Sequence, residues 1–390
     1  VLILFRPILL SLIAALILLG AVARGEAQET APPPPSSSSS PAAPAPSETP
    51  TEREPQEPVK VFTEEVRLPV VAYDEYGRFV PGVELDDVLV LEDGVPQEIR
   101  SIQRIPASIL FLLDTSAVVT LAKDVKTTRA IALRLLGKLR SGDNISVLQF
   151  GDRTELLQDW TTDTAAVEHV LKTKLSGSKR ERLAEAFRAA AVRLKERPAG
   201  SRHVVLITDA VETPGGRVSY EQAVKELLGA QATVHVISYT AAIRAAIEQR
   251  YGKGRARGGT GAQREALPIP DPGMPPGQTR NPSVTFGTLD LDRAMRRHFR
   301  KYADETRQGE QRLAKLAEET GGRIQLATEA EGMVRQADEV ARDIGAQYVV
   351  TYTPKKPLAS AQSGEYRRIE VASRRVGLQL RSRRGYLATP

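Results

Sequence analysis

Asp114, Ser116 and Asp209 are the residues of this chain whose types and positions best suit chemistry. Asp114 closes the apolar run Ile109–Leu113, Ser116 follows two residues on, and Asp209 closes the run that begins at Val204. Short apolar runs of this kind are buried strands, and parallel strands carry their C-terminal ends to one edge of a sheet. Both carboxylates and the hydroxyl are therefore expected at one edge. They are hard oxygen ligands suited to Mg2+ or Mn2+, with waters and a carboxylate from a partner completing an octahedron. Covalent or acid–base catalysis finds less support. The four histidines (His169, His203, His235 and His298) show no His-Glu-x-x-His spacing, Ser116 lacks a Gly-x-Ser-x-Gly context, and there is no cysteine. His203 and His235, at or within strands, are expected to be structural. The Gly-rich string Gly252–Gly261 contains no Gly-Lys-Ser/Thr and is not expected to cradle phosphate.

The elements that must position this edge alternate between strand and helix. Strands are expected at Ile109–Asp114, Ile145–Phe150, Val204–Asp209, Val234–Tyr239 and Ile324–Ala327. Helices are expected at Val119–Leu139, Arg182–Lys195, Tyr220–Leu228, Glu305–Glu319 and Glu329–Ile344. Repeated strand–helix units predict an α/β fold, a mostly parallel sheet with helices on both faces. Glu155–Trp160 follows its predecessor too closely for a crossover and should be an antiparallel edge strand. Residues 59–106 and 347–390 read as short strands, too few on either side for a core, so the two groups are expected to share one β domain around residues 107–346. Residues 241–303 interrupt the pattern with Gly, Pro and Arg and are expected to form a flexible basic surface insertion.

The N-terminus sets an expectation of export. Arg6, the apolar run Pro7–Gly20 and the small residues Ala21-Val22-Ala23 have the order of a secretory signal, so residues 1–27 read as a signal peptide or an uncleaved membrane anchor. Residues 28–58, rich in Pro, Ser, Ala and Glu, read as a disordered spacer. A periplasmic, membrane-anchored or secreted location follows, with membrane contact only through the first segment. Charge is uneven: twelve Lys/Arg against five Asp/Glu in residues 241–301, and seven Arg against one Glu in 366–384. The basic insertion could attract an acidic partner. Nucleic acid is disfavoured by the export pattern and by sparse aromatics, Tyr251 being the one aromatic between Gln249 and Val284. The C-terminal arginines read as a solvated strand face.

Ile109-Leu-Phe-Leu-Leu-Asp-Thr-Ser116 resembles the opening strand and Asp-x-Ser-x-Ser motif of von Willebrand factor A domains. Val204-Val-Leu-Ile-Thr-Asp209, followed by Glu212, resembles their fourth-strand motif, and Gly142–Phe150 their second strand. With Leu68–Asp74, Leu91–Gln97, Gln347–Thr353 and Arg384-Gly-Tyr386, the chain is similar to exported A-domain proteins common in Acidobacteria. The resemblance implies a Rossmann-like domain, a protein-binding role at the cell envelope rather than catalysis, and a metal ion-dependent adhesion site at Asp114, Ser116 and Asp209. Two departures make that site degenerate. Val118 stands where the second serine belongs, and by alignment Glu181 stands where a threonine does. Glu181, flanked by Arg180 and Arg182, is expected to point to solvent, and Mg2+ or Mn2+ to bind weakly or not at all. A polyanion-binding protein and a hydrolase of unrecognised type are the alternative readings.

Overall fold

The structure is a computed structural model and describes residues 64–116, 123–251, 291–362 and 364–388. The expected signal or anchor and spacer, Val118, and the centre of the basic insertion lie outside the described residues. Val61–Pro390 forms one compact unit.

The chain opens with β1 (Val66–Tyr73), β2 (Val88–Glu92), β3 (Val95–Pro96) and β4 (Ile99–Gln103). The α/β part follows: β5 (Ser108–Asp114), α1 (Val125–Leu136), β6 (Asn144–Phe150), β7 (Thr154–Thr161), α2 (Thr164–Thr173), α3 (Leu183–Lys195), β8 (Arg202–Thr208), α4 (Tyr220–Gly229) and β9 (Thr233–Ser238). It continues through α5 (Thr240–Tyr251), α6 (Leu291–Glu319), β10 (Ile324–Leu326) and α7 (Ala330–Gly345). The last strands are β11 (Gln347–Tyr352), β12 (Tyr366–Ser373), β13 (Gln379–Ser382) and β14 (Gly385–Leu387).

Six strands form the central sheet in the order β10-β9-β8-β5-β6-β7, all neighbours parallel except the antiparallel edge strand β7. Both faces are covered, as the α/β pattern predicts. Ile109, Phe111 and Leu113 of β5 pack with Ile131, Leu135, Val167, Ile243 and Met333. Leu110 and Leu112 pack on the other face with Phe187, Ala190, Leu227, Leu313 and Leu316. Period-two alternation thus divides one apolar strand between two helical layers.

Two departures from expectation bear on the site. Helix α1 starts at Val125, because the Asp124 carboxylate accepts from Thr127 N at 2.6 Å and caps the helix there. Lys123 therefore precedes the helix. The ends of the interval read as a flexible insertion are helical: α5 covers residues up to 251, and α6 runs unbroken from 291 to 319. Ala-rich 241–251 is a good helix former, and the Gly/Pro-rich centre obscured the helical periodicity on either side of it.

The flanking strands form two antiparallel four-stranded sheets, β13-β1-β11-β4 and β14-β12-β2-β3, which share one core built on Leu68, Val70, Val90, Val350 and Tyr352. The expectation of a solvated arginine face fails at two positions. The Arg367 side chain is fully buried and pairs with Glu92 at 2.9 Å, and Arg383 is 4% exposed. Inward-facing positions of β12 and of the turn into β14 place them inside. Among the described residues, no helix is long and apolar enough to cross a membrane.

Candidate functional site

Strand ends and one helix entry bring Asp114, Ser116, Glu181 and Asp209 together. Asp114 terminates β5 and Asp209 follows β8, so the parallel pairing of these neighbours sets both carboxylates at the C-terminal edge of the sheet. The Asp114 carboxylate accepts from Ser116 N at 2.8 Å, a local turn that turns the serine hydroxyl inward. Glu181 arrives from the segment before α3. That segment is tied to the strand end by Ser178 N donating to Thr115 O at 2.9 Å and by Thr213 N donating to Glu181 O at 3.0 Å. Carboxylate oxygens of Asp114, Glu181 and Asp209 lie within 4.8 Å of one another, and all three residues are buried.

The expectation that Glu181 points to solvent is therefore corrected. Arg180 is exposed, Arg182 is half-buried and Glu181 between them is fully buried. The segment is not yet helical there, so neighbouring side chains point in opposite directions. The flanking arginines go outward because Glu181 goes inward. Glu212, the acidic residue after the second motif, does not join the cluster: its carboxylate accepts from Ala184 N at 2.9 Å and caps α3.

The centre of the cluster holds a residue that the sequence reading missed. Lys123, 1% exposed, directs its Nζ to Ser116 Oγ at 2.8 Å and Asp209 Oδ2 at 3.0 Å, with Glu181 Oε2 at 3.5 Å and a short contact to Asp114 Oδ2. Two further residues close the site. Thr208 Oγ1 lies 2.9 Å from both Asp114 Oδ2 and Glu181 Oε1, and the Tyr302 hydroxyl donates to Asp209 Oδ2 at 2.7 Å. The one signal for Lys123 in the sequence is a lone cation at the end of the apolar stretch Ala117–Ala122. Tyr302 lies in the interval read as insertion, and nothing local marked it.

Helix α6 covers the edge. Its Tyr302 packs with the first helical layer and its Leu313 with the second, so the helix crosses from one face of the sheet to the other over the strand ends. The crossing is close: a Cβ at Gly309 would lie 2.3 Å from the Ala210 carbonyl oxygen. Ala210 itself takes φ +63°, a left-handed conformation costing about 1–2 kcal/mol for a residue with a Cβ. Its amide donates to Thr208 Oγ1 at 3.0 Å, which helps hold the turn.

Electrostatics follow from three carboxylates sharing one buried cation. Burial alone would lower the Lys123 pKa, but the carboxylates of Asp114, Asp209 and Glu181 outweigh it and hold the ammonium charged. Burial raises the Glu181 pKa well above the usual carboxylate range, and the charges of Asp114 and Asp209 raise it further against the pull of Lys123. Asp209 moves the other way. Burial opposes ionisation there, yet Lys123 and hydrogen bonds from Glu181 and Tyr302 keep it ionised.

The donor set suits Mg2+ or Mn2+ in kind, but its geometry does not accommodate one. Octahedral Mg2+ needs oxygens at about 2.0–2.1 Å with waters on its open positions. Here the ammonium stands among the same oxygens, and Asp114, Glu181, Asp209 and Tyr302 are all buried. Among the described residues, this edge offers no accessible nucleophile and no paired acid and base facing an open cleft. His203 and His235 stack in neighbouring strands, their Nδ1 and Nε2 at 3.3 Å, far from an ionisable role at neutral pH because burial lowers both pKa values.

Residues 109–212 match the family model of the von Willebrand factor type A domain, so the chain contains such a domain. No curated protein matches the chain. Among solved structures, the chain is similar to an aerotolerance-related membrane protein from Bacteroides fragilis, at 15% identity over 61% of this chain and 98% of that one, TM-score 0.36. It is also similar to a von Willebrand factor type A protein from Catenulispora acidiphila, at 8% identity over 82% of this chain and 73% of that one, TM-score 0.40. A third is the conserved hypothetical protein BatB from Bacteroides thetaiotaomicron, at 18% identity over 33% of this chain and 65% of that one, TM-score 0.29. The chain thus spans just under two thirds of that last relative.

Proposed function

We propose that this chain is an exported or envelope-associated protein-interaction protein, adhesion-like or scaffold in kind, acting through its von Willebrand factor type A domain. The match of residues 109–212 to that domain carries the reading, since such domains serve mainly as interaction modules. The buried strand edge supports it from the chemical side. Among the described residues, its ionisable groups are satisfied by one another and leave no reactive group facing a cleft. Export rests on the order of residues 1–27 alone. On this reading the partner is a protein that docks on the outer surface of the domain, because the degenerate metal edge is buried beneath α6.

The test is capture of envelope proteins on the purified chain, followed by titration of the purified captured protein with magnesium, with chelator and at raised salt. Saturable one-to-one binding that survives chelator and salt is expected. Binding lost steeply with salt would instead favour a polyanion partner for the basic segment between α5 and α6, since phosphate contacts are screened far more than a packed protein interface. Capture of no protein above a control matrix would end the interaction reading.

A further inference from the structure

The family's adhesion site needs a divalent ion between its oxygens, and in this chain that position has an occupant of its own. We infer that Lys123 is the resident cation of the site: its side-chain ammonium takes the place of a divalent ion, so the native domain assembles and works without metal.

The observations are geometric. An ammonium has three N–H donors, and three oxygens stand within hydrogen-bond reach of Nζ, one each from Asp114, Ser116 and Asp209. Those residues end β5, follow it and follow β8, so the lysine joins the same strand ends that a bound ion would join. Glu181 Oε2, at 3.5 Å, completes the ring of oxygens around the charge.

The tether matters as much as the charge. Lys123 immediately precedes Asp124, whose carboxylate caps α1, so a fixed helix start places the side chain. A covalently supplied cation competes as an intramolecular ligand at high effective concentration, and it brings no hydration shell of the kind Mg2+ gives up reluctantly. The departures at Val118 and Glu181 fit the same scheme. A hydroxyl ligand is dispensable where no ion needs coordination.

The inference is independent of what the domain binds and is tested without a partner. Mn2+ titration by calorimetry and thermal unfolding with Mn2+ or chelator are run on the full chain, on Lys123→Ala and on Lys123→Ala/Asp209→Ala. Wild type is expected to take up no Mn2+ at this site at millimolar ion, and its unfolding temperature to be unmoved by ion or chelator. Lys123→Ala, which leaves the oxygens and frees the space, is expected to bind Mn2+ at least roughly tenfold more tightly than wild type and to lose that gain with Asp209→Ala. Should Lys123→Ala be unfolded without metal, Mn2+ is expected to restore folding, as any ligand of the native state alone must. Two results overturn the inference: wild-type binding at micromolar Mn2+ that Asp209→Ala abolishes, or a Lys123→Ala chain that gains neither binding nor folding from Mn2+.

Discussion

Gly309 is the position at which α6 can be lifted from the strand edge without touching a charged group. Replacing it by alanine sets two effects against each other. Alanine favours a helix interior over glycine by about 1 kcal/mol, which would stabilise a helix free of close neighbours. Here the new Cβ would lie 2.3 Å from the Ala210 oxygen and 2.6 Å from the Ala210 Cβ, whereas ordinary contact begins near 3.4 Å. Ala210 cannot easily yield, because its φ of +63° and its bond to Thr208 fix the turn that carries Asp209. The helix must retreat by about 1 Å, an overpacking that costs about 1–3 kcal/mol. The Tyr302–Asp209 hydrogen bond, two turns earlier on the same helix, weakens with it. Net destabilisation of about 0–2 kcal/mol is expected once the propensity gain is subtracted. Urea unfolding measures it, with Gly229→Ala as the control. No heavy atom lies within 4 Å of a Cβ at Gly229, so that change should stabilise by about 0.4–1 kcal/mol. Hydrogen exchange over α6 should rise in Gly309→Ala alone. A Gly309→Ala chain stabilised as much as the Gly229→Ala control, with no rise in hydrogen exchange over α6, would refute the close crossing and the cover it gives the site.

Stability should depend on pH through the paired histidines. Burial holds His203 at about 3, against 6.5 in an exposed chain, so between these values the unfolded state binds a proton that the native state does not. Stability therefore rises with pH across that window and falls on acidification, by about 2 kcal/mol between pH 7.5 and 5 from His203 alone, with His235 adding in the same direction. Chemical unfolding at the two pH values checks this, and a His203→Gln chain with an unchanged pH slope would count against it. In the β domain, Glu92 accepts from Arg367 at 2.9 Å, Tyr352 at 2.7 Å and Tyr386 at 3.1 Å, joining its two sheets. Glu92→Ala should cost about 3 kcal/mol by removing one partner of a buried pair, and a loss below about 1 kcal/mol in urea unfolding would show that Glu365 and nearby carbonyls suffice for Arg367.

The α/β class, the mostly parallel sheet and the convergence of Asp114, Ser116 and Asp209 were legible in the sequence. They follow from local rules: apolar runs of strand length, helical periodicity between them, and the geometry that carries parallel strand ends to one edge. The von Willebrand factor A resemblance was legible for the same reason, since its motifs sit at those strand ends. Glu181 was found by alignment but its direction was misread, because two flanking arginines report where they themselves point and not where the residue between them does. Lys123, Thr208 and Tyr302 were not legible as site residues. Lys123 depends on where Asp124 stops the helix, a choice made by one side-chain cap. Tyr302 reaches Asp209 across 93 positions of chain because α6 crosses the strand ends. Sequence determined which oxygens gather at the edge, through periodicity that is local. Tertiary structure decided what neutralises them, because a buried charge is matched by whatever packing brings within reach.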